Sequence, residues 1–196
     1  MGGAGAGGDS AHAGFDAALR VDWIGADQLS DGLPGRLGLT FLPGKRGVST
    51  RYPGRVYARD LSADMASLRE AGVRRLVLLV EDVELERWSD PRIREIGAEG
   101  GVDVVRYPIP DGDPPASLAE MQAILDDIRT GRADGDVAVA CMGGVGRTGT
   151  VAACALIEAG LDSDAAIGTV RAVRHPGAVE TARQERFVRS FEAATR

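Results

Sequence analysis

At 196 residues with a formal charge of −6, the chain has the size of one ordinary domain of roughly 100 to 200 residues and can bury a full core. An acidic balance gives no overall attraction to nucleic acid or to an anionic membrane surface, and no apolar run nears the roughly 18 residues of a membrane span. Two cysteines and two histidines are poor material for a disulfide scaffold or a structural zinc site. The expectation is a cytoplasmic protein with no metal, no cofactor, no nucleic-acid partner and no membrane partner. The charge is uneven, however. Between residues 36 and 59 stand Arg36, Lys45, Arg46, Arg51, Arg55 and Arg59 without an acid among them, a local landing place for an anion.

Residues 1–14 are glycines and alanines for the most part, a composition with high backbone entropy and little to bury, and read as a disordered tail ahead of one domain over 15–196. Residues 15–58 carry weak strand signals at Arg20 to Ile24, Leu37 to Leu42 and Arg55 to Ala58. From residue 60 the pattern is regular. Leu61, Met65 and Leu68 have helical spacing up to Gly72, and Val73 to Val80 is a continuous apolar run suited to a strand buried on both faces. A helix is predicted across Asp90 to Ala98, and a second buried strand over Val102 to Ile109, closed by Pro110-Asp111-Gly112-Asp113-Pro114-Pro115. Ser117 and Glu120 have capping-box spacing, and Leu118, Met121, Leu125 and Ile128 line one face of the helix they open. A third strand over Asp136 to Ala140 leads through glycine-rich sequence into a helix from about Arg147 to Glu158, ended by Gly160. Two more helices follow, one after Ser163 and one across Thr181 to Ala194. Strands alternating with helices predict an α/β fold, a single domain with a mainly parallel central sheet.

The chemistry concentrates in Cys141-Met142-Gly143-Gly144-Val145-Gly146-Arg147-Thr148-Gly149, where a strand gives way to a helix. No proline interrupts it, so the backbone N–H groups from Met142 through Arg147 can converge on one oxyanion, and the glycines permit close approach. The helix start adds its unpaired N–H groups and positive dipole end, and the Arg147 guanidinium can grip two phosphate oxygens at once. A cysteine opening such a cradle should have its pKa depressed from about 8.5 toward the roughly 3.5 to 7.5 of activated thiols. Cys141 is then a nucleophile placed beneath a bound phosphoryl group, in line for displacement. A leaving alkoxide or phenoxide needs a proton, which Asp111 or Asp113 can supply from the loop after the second buried strand. Thr148 can donate a hydrogen bond to the departing sulfur.

These residues resemble the cysteine-dependent protein phosphatases. Cys141 to Arg147 matches their Cys-x5-Arg signature, in the fuller Cys-x-x-Gly-x-Gly-Arg-Thr-Gly form of dual-specificity-like members. Tyr107 to Pro114 resembles the general-acid loop of the kinase-associated phosphatase group. Leu37 to Lys45 and Gly177 to Val188 resemble the N-terminal loop and a C-terminal element of bacterial relatives, so the likeness spans about residues 33–191. The resemblance implies hydrolysis of phosphate monoesters on proteins through a phosphocysteine intermediate, with Cys141 as nucleophile, Arg147 as phosphate clamp, Asp111 as general acid and base, and Thr148 assisting thiolate departure. Met142, Gly143, Gly144, Val145 and Gly146 would complete the phosphate site. The implied partner is a phosphorylated protein or a small phosphate ester. One departure stands out, for the family usually has histidine before the nucleophile and here the residue is Ala140.

Other readings of the same residues are weaker. Gly144-x-Gly146-x-x-Gly149 has the form of a dinucleotide fingerprint, but that motif opens a βαβ unit, and helices follow here. A phosphate-binding regulatory module with little turnover is the alternative function that Ala140 raises. A phosphoinositide substrate is disfavoured because Met142 and Val145 bring no cation into the loop. Cys154, among apolar neighbours, reads as a packing residue, and a bridge to Cys141 is excluded by the rise of the intervening helix. His12 and His175 offer no partner for a Cys–His protease. Gln184 is read either as a positioner of water or as a surface helix residue.

Overall fold

A computed structural model describes residues 18–49 and 54–195 of the chain. The glycine-rich segment 1–14, His12 and Arg51 lie outside them. The central sheet has the order β1-β2-β7-β5-β6, formed by β1 (Asp22–Ile24), β2 (Leu37–Phe41), β5 (Val73–Leu78), β6 (Asp103–Arg106) and β7 (Asp136–Cys141). Only β1 is antiparallel to its neighbour; β2, β7, β5 and β6 run the same way. This is the mainly parallel α/β architecture that the alternating pattern predicts. A separate ribbon pairs β3 (Arg46–Val48) with β4 (Val56–Ala58).

Residue alternation divides the core into two layers. On β7, Val137, Val139 and Cys141 face one side, among residues of α4 (Leu118–Asp134), α5 (Gly146–Glu158), α6 (Ser163–Val173) and α7 (Ala182–Thr195). Ala138 and Ala140 face the other, with Leu61, Met65 and Leu68 of α1 (Leu61–Glu70), Leu85 of α2 (Asp82–Trp88) and Ile93 of α3 (Ile93–Glu99). Ala140 has no exposed surface and its cluster includes Leu42, Leu76 and Leu78. An imidazole at that position would enter this packed cluster with nitrogens that need polar partners.

Several boundaries differ from the sequence expectation. The helix predicted across Asp90 to Ala98 is α3 alone, and α2 precedes it as a separate short helix. The run Val102 to Ile109 forms a strand only to Arg106, although Tyr107 and Ile109 still donate their amides to Leu78 and Leu79. Ribbon strand β3 was too short, with a glycine at its centre, to show periodicity. In α4 the Ser117 hydroxyl accepts from the Glu120 amide, but the Glu120 carboxylate turns back to the Ala116 amide instead of that of Ser117. Ile124 joins the buried stripe of α4, whereas Leu118 is 38% exposed. Two of the six cations between residues 36 and 59 serve the fold: Arg36 pairs with Asp136 at 2.6 Å and Arg59 with Asp64 at 2.6 Å. Among the described residues no helix is long and apolar enough to cross a membrane.

Candidate active site

Because β2, β7, β5 and β6 run in one direction, the segments that leave them gather along a single sheet edge. From β7 comes the Cys141 turn, from β5 the segment into α2, from β6 the Pro110 to Pro115 loop, and from β2 the Leu42 to Lys45 turn. Each contributes a polar or reactive side chain to the same place.

Cys141 ends β7 and is buried, with 3% of its surface exposed. Burial alone would favour the neutral thiol. The Arg147 charge, the Thr148 hydroxyl and the amides of Thr148 and Val145 outweigh it and hold the pKa below the ordinary thiol value. The Thr148 hydroxyl is buried with no other partner and is among the groups that favour the Cys141 thiolate. No side chain caps α5, and Val145 stands at the cap position. The amides of Val145 and Thr148 bear on the Cys141 sulfur, and an uncapped helix start is where an anion site can form.

Arg147 is 1% exposed, and the two terminal nitrogens of its guanidinium carry its hydrogen bonds. Glu84 of α2 receives it in a two-pronged pair, Nη1 to Oε2 at 2.6 Å and Nη2 to Oε1 at 2.8 Å. Nη1 also donates to the Ile109 carbonyl at 2.9 Å, and Nη2 to Asp111 Oδ1 at 3.0 Å. Burial works against the guanidinium charge, but Glu84, the Cys141 sulfur and Asp111 more than restore it, and the pKa is pushed up. Such planar, paired geometry fixes the orientation of a group that can present two donors to a tetrahedral anion. Glu84 is not among the sequence-derived candidates, because no element is assigned there between Val80 and Asp90. Its signal was the Glu81-x-x-Glu84 spacing of a helix start, and Glu84 Oε2 does accept from the Glu81 amide at 2.9 Å.

The two loop aspartates have different surroundings. Asp111 is 81% exposed and touches Arg147. Asp113 instead faces Arg183 of α7 at 2.7 Å, and its backbone carbonyl accepts from Gln184 Nε2 at 3.2 Å. Thr181 anchors the intervening residue by donating to the Gly112 carbonyl at 2.9 Å. Gln184 has no exposed surface, and its Oε1 accepts the amides of Glu180 and Thr181. It is thus a buried tie between α7 and the loop, which corrects its reading as a surface residue.

The cradle residues are closely backed. Among the three loop glycines Gly143, Gly144 and Gly146, only Gly144 has left-handed backbone, φ 66°. A Cβ there would lie 2.3 Å from the Thr40 carbonyl oxygen, so both conformation and space demand glycine. Arg174, at the end of α6, donates to the carbonyls of Gly144 at 2.9 Å and Gly143 at 3.2 Å. Lys45 Nζ donates to the Met142 carbonyl at 3.1 Å. The Val179 amide donates to Val145 at 3.3 Å, and Val179 itself sits at φ 56° while buried, a rare posture for a β-branched residue. A Cβ on Gly149 would lie 2.9 Å from the Val179 nitrogen, so α5 packs directly on this turn. Cys154 lies in the interior of α5, where burial first and Glu158 second push its thiol up; both cysteines are free.

Comparison with known proteins gives a consistent result. The sequence model of a family described as "Polymorphic toxin system, DSP-PTPase phosphatase" matches residues 51–161. Human cyclin-dependent kinase inhibitor 3 is 27% identical over 176 residues, covering 88% of this chain and 78% of that protein. A crystal structure of kinase associated phosphatase, with serine replacing its catalytic-site cysteine, superposes with a TM-score of 0.79 at 22% identity, over 92% of this chain and 97% of the other. Tk-PTP in its active form superposes with a TM-score of 0.65 at 30% identity, over 81% and 92% of the two chains.

Proposed function

This chain belongs to the DSP-PTPase phosphatase family of polymorphic toxin systems, a metal-independent protein phosphatase hydrolase, and from that premise we propose how its residues divide the work. The Cys141 thiolate attacks phosphorus in line with the ester oxygen. An S–P bond forms as the P–O bond to the leaving group breaks, and Asp111, protonated, gives its proton to the departing oxygen. Water then attacks the phosphocysteine, Asp111 takes a proton from it, and the sulfur leaves as a thiolate stabilised by Thr148 and the cradle amides. Arg147, held by Glu84, and the amides of Met142 to Gly146 bind the equatorial oxygens, whose charge is greatest in the transition state.

The observation that carries this reading is a buried cysteine whose surroundings favour the thiolate, in contact range of Thr148, beside an arginine that also touches Asp111. For the acid, Asp111 is favoured over Asp113 by that contact, since Asp113 is turned to Arg183. The substrate class we propose is phosphotyrosine or phosphothreonine on a protein. A phosphoinositide fits less well, because the loop itself brings no lysine, and Lys45 approaches its outer, carbonyl side.

The test is hydrolysis of an aryl phosphate with acid-quench capture of the protein-bound phosphate. A labelled phosphoenzyme that vanishes in Cys141→Ser, together with the turnover, supports the covalent route. Turnover that survives Cys141→Ser would overturn it, and tight phosphopeptide binding without turnover in the unsubstituted protein would favour the regulatory-module reading.

A further inference from the structure

An anion cradle made of backbone works only if its amides point inward, and each peptide unit that does so turns its carbonyl outward. Those carbonyls then need donors of their own, or the loop is free to flip. In this turn every carbonyl from Met142 to Gly146 has one. Gly146 is served by the Thr150 hydroxyl at 2.9 Å, and Val145 by the amides of Gly149 at 3.2 Å and Val179 at 3.3 Å. The three carbonyls nearest the sulfur, Met142, Gly143 and Gly144, are served by cations alone, Lys45 on one and Arg174 on two. Among the described residues no oxygen accepts from the amides of Met142, Gly143 or Gly144.

Both cations are themselves fixed. Arg174 is 7% exposed at its side chain, and its remaining arm pairs with Asp22 of β1 at 2.6 Å. Lys45 is 9% exposed, and its ammonium lies 4.4 Å from the centre of the Tyr57 ring, a favourable seat for a desolvated cation. Its backbone is pinned at three consecutive residues. Pro43 accepts from the Ser89 hydroxyl at 2.7 Å, the Gly44 amide donates to Asp64 at 2.7 Å, and the Lys45 carbonyl accepts from the Arg59 amide at 3.0 Å. Lys45 is also the only lysine in a chain otherwise rich in arginine.

We infer that Lys45 and Arg174 are positioning residues, which hold the carbonyls on the outer side of the Cys141 turn and so aim its first three amides at the bound phosphoryl oxygens. The inference rests on the proposed function of that turn, and it assigns a role to two residues that touch neither the substrate nor the reacting atoms. It also accounts for how the loop is ordered although Ala140, beneath it, offers only a methyl group.

The test uses the full chain with Lys45→Met, which keeps length and apolar bulk but has no donor, and Lys45→Arg, which keeps charge and donors. Orthovanadate inhibition reads the cradle directly, and the pH profile of Cys141 alkylation reads the field at the sulfur. Lys45→Met should weaken vanadate about tenfold, the equivalent of one charge-assisted hydrogen bond, and move the alkylation midpoint upward. Lys45→Arg should recover most of both. Arg174→Lys, which replaces two donors by one, should show the same pair of changes in a folded protein. Vanadate affinity and alkylation within twofold of the unsubstituted protein in Lys45→Met would overturn the inference, as would equal losses in Lys45→Met and Lys45→Arg. Neither result touches the covalent route, which stands or falls with Cys141→Ser.

Discussion

The two cysteines of this protein are both buried and occupy the same segment of chain, yet their chemistry is opposite. Cys154 lies inside α5 among apolar residues, and its surroundings push the thiol up. Cys141 lies where β7 opens into the turn, equally removed from water, and its surroundings pull the thiol down. Burial raises both thiols, so it does not separate them. What differs is the set of polar groups that act on the sulfur: a guanidinium, a hydroxyl and two amides at Cys141, and only the negative charge of the Glu158 carboxylate at Cys154. A reactive thiol is made by the backbone and one arginine, and the low-dielectric surroundings then strengthen whatever field those groups create.

The comparison is broken most directly by exchanging sulfur for oxygen. Cys141→Ser should lower kcat/KM for an aryl phosphate by at least about 10⁴-fold, and should abolish alkylation by iodoacetate near neutral pH, since the remaining thiol is inert. Next in size, Asp111→Asn should cost about 10² to 10⁴ in kcat. The loss should be greater for an alkyl phosphate than for an activated aryl ester, and equal losses measured on the two esters would move the acid elsewhere. Glu84→Gln leaves a neutral partner for a buried guanidinium. It should reduce kcat/KM by about ten- to a hundredfold, with vanadate inhibition weakened in parallel, because the clamp is no longer fixed. Cys154→Ala should change kcat/KM by less than about twofold and unfolding free energy by about 1 kcal/mol, read by chemical denaturation. In the alkylation profile of the unsubstituted protein, reaction should remain fast at pH values below the ordinary thiol range of about 8.5, because the lowered pKa keeps Cys141 ionised there.

Much of this site was legible because its elements are local in sequence. Cys141, Arg147 and Thr148 lie on one strand-to-helix turn, and their relation follows from the spacing. Asp111 was found because a parallel sheet delivers the ends of neighbouring strands to one edge. The residues that were not found are those whose contacts cross the sheet. Glu84 reaches Arg147 from a helix of only seven residues, too short for periodicity to reveal. Lys45 and Arg174 act through side chain to backbone hydrogen bonds, which leave no pattern in a sequence. The basic stretch between residues 36 and 59 was visible as charge, but charge counting does not separate Lys45, which bears on the turn, from Arg36 and Arg59, which close ion pairs within the fold. The same limit applies to the aspartates: residue type and loop position describe Asp111 and Asp113 equally, the family resemblance prefers Asp111, and in the fold Asp111 meets Arg147 whereas Asp113 meets Arg183.

Behind the cradle, Val179 holds a branched side chain in left-handed backbone, a posture worth about 1 to 3 kcal/mol of strain. Its amide fastens Val145 and its main chain seats Gly149, so the joint where α5 begins is clamped by a residue under tension. A glycine there would relieve the backbone strain but would also strip a buried side chain out of the core cluster, so packing is what keeps the strained posture in place. The joint behind the turn is thus held shut by the core, against the preference of its own backbone.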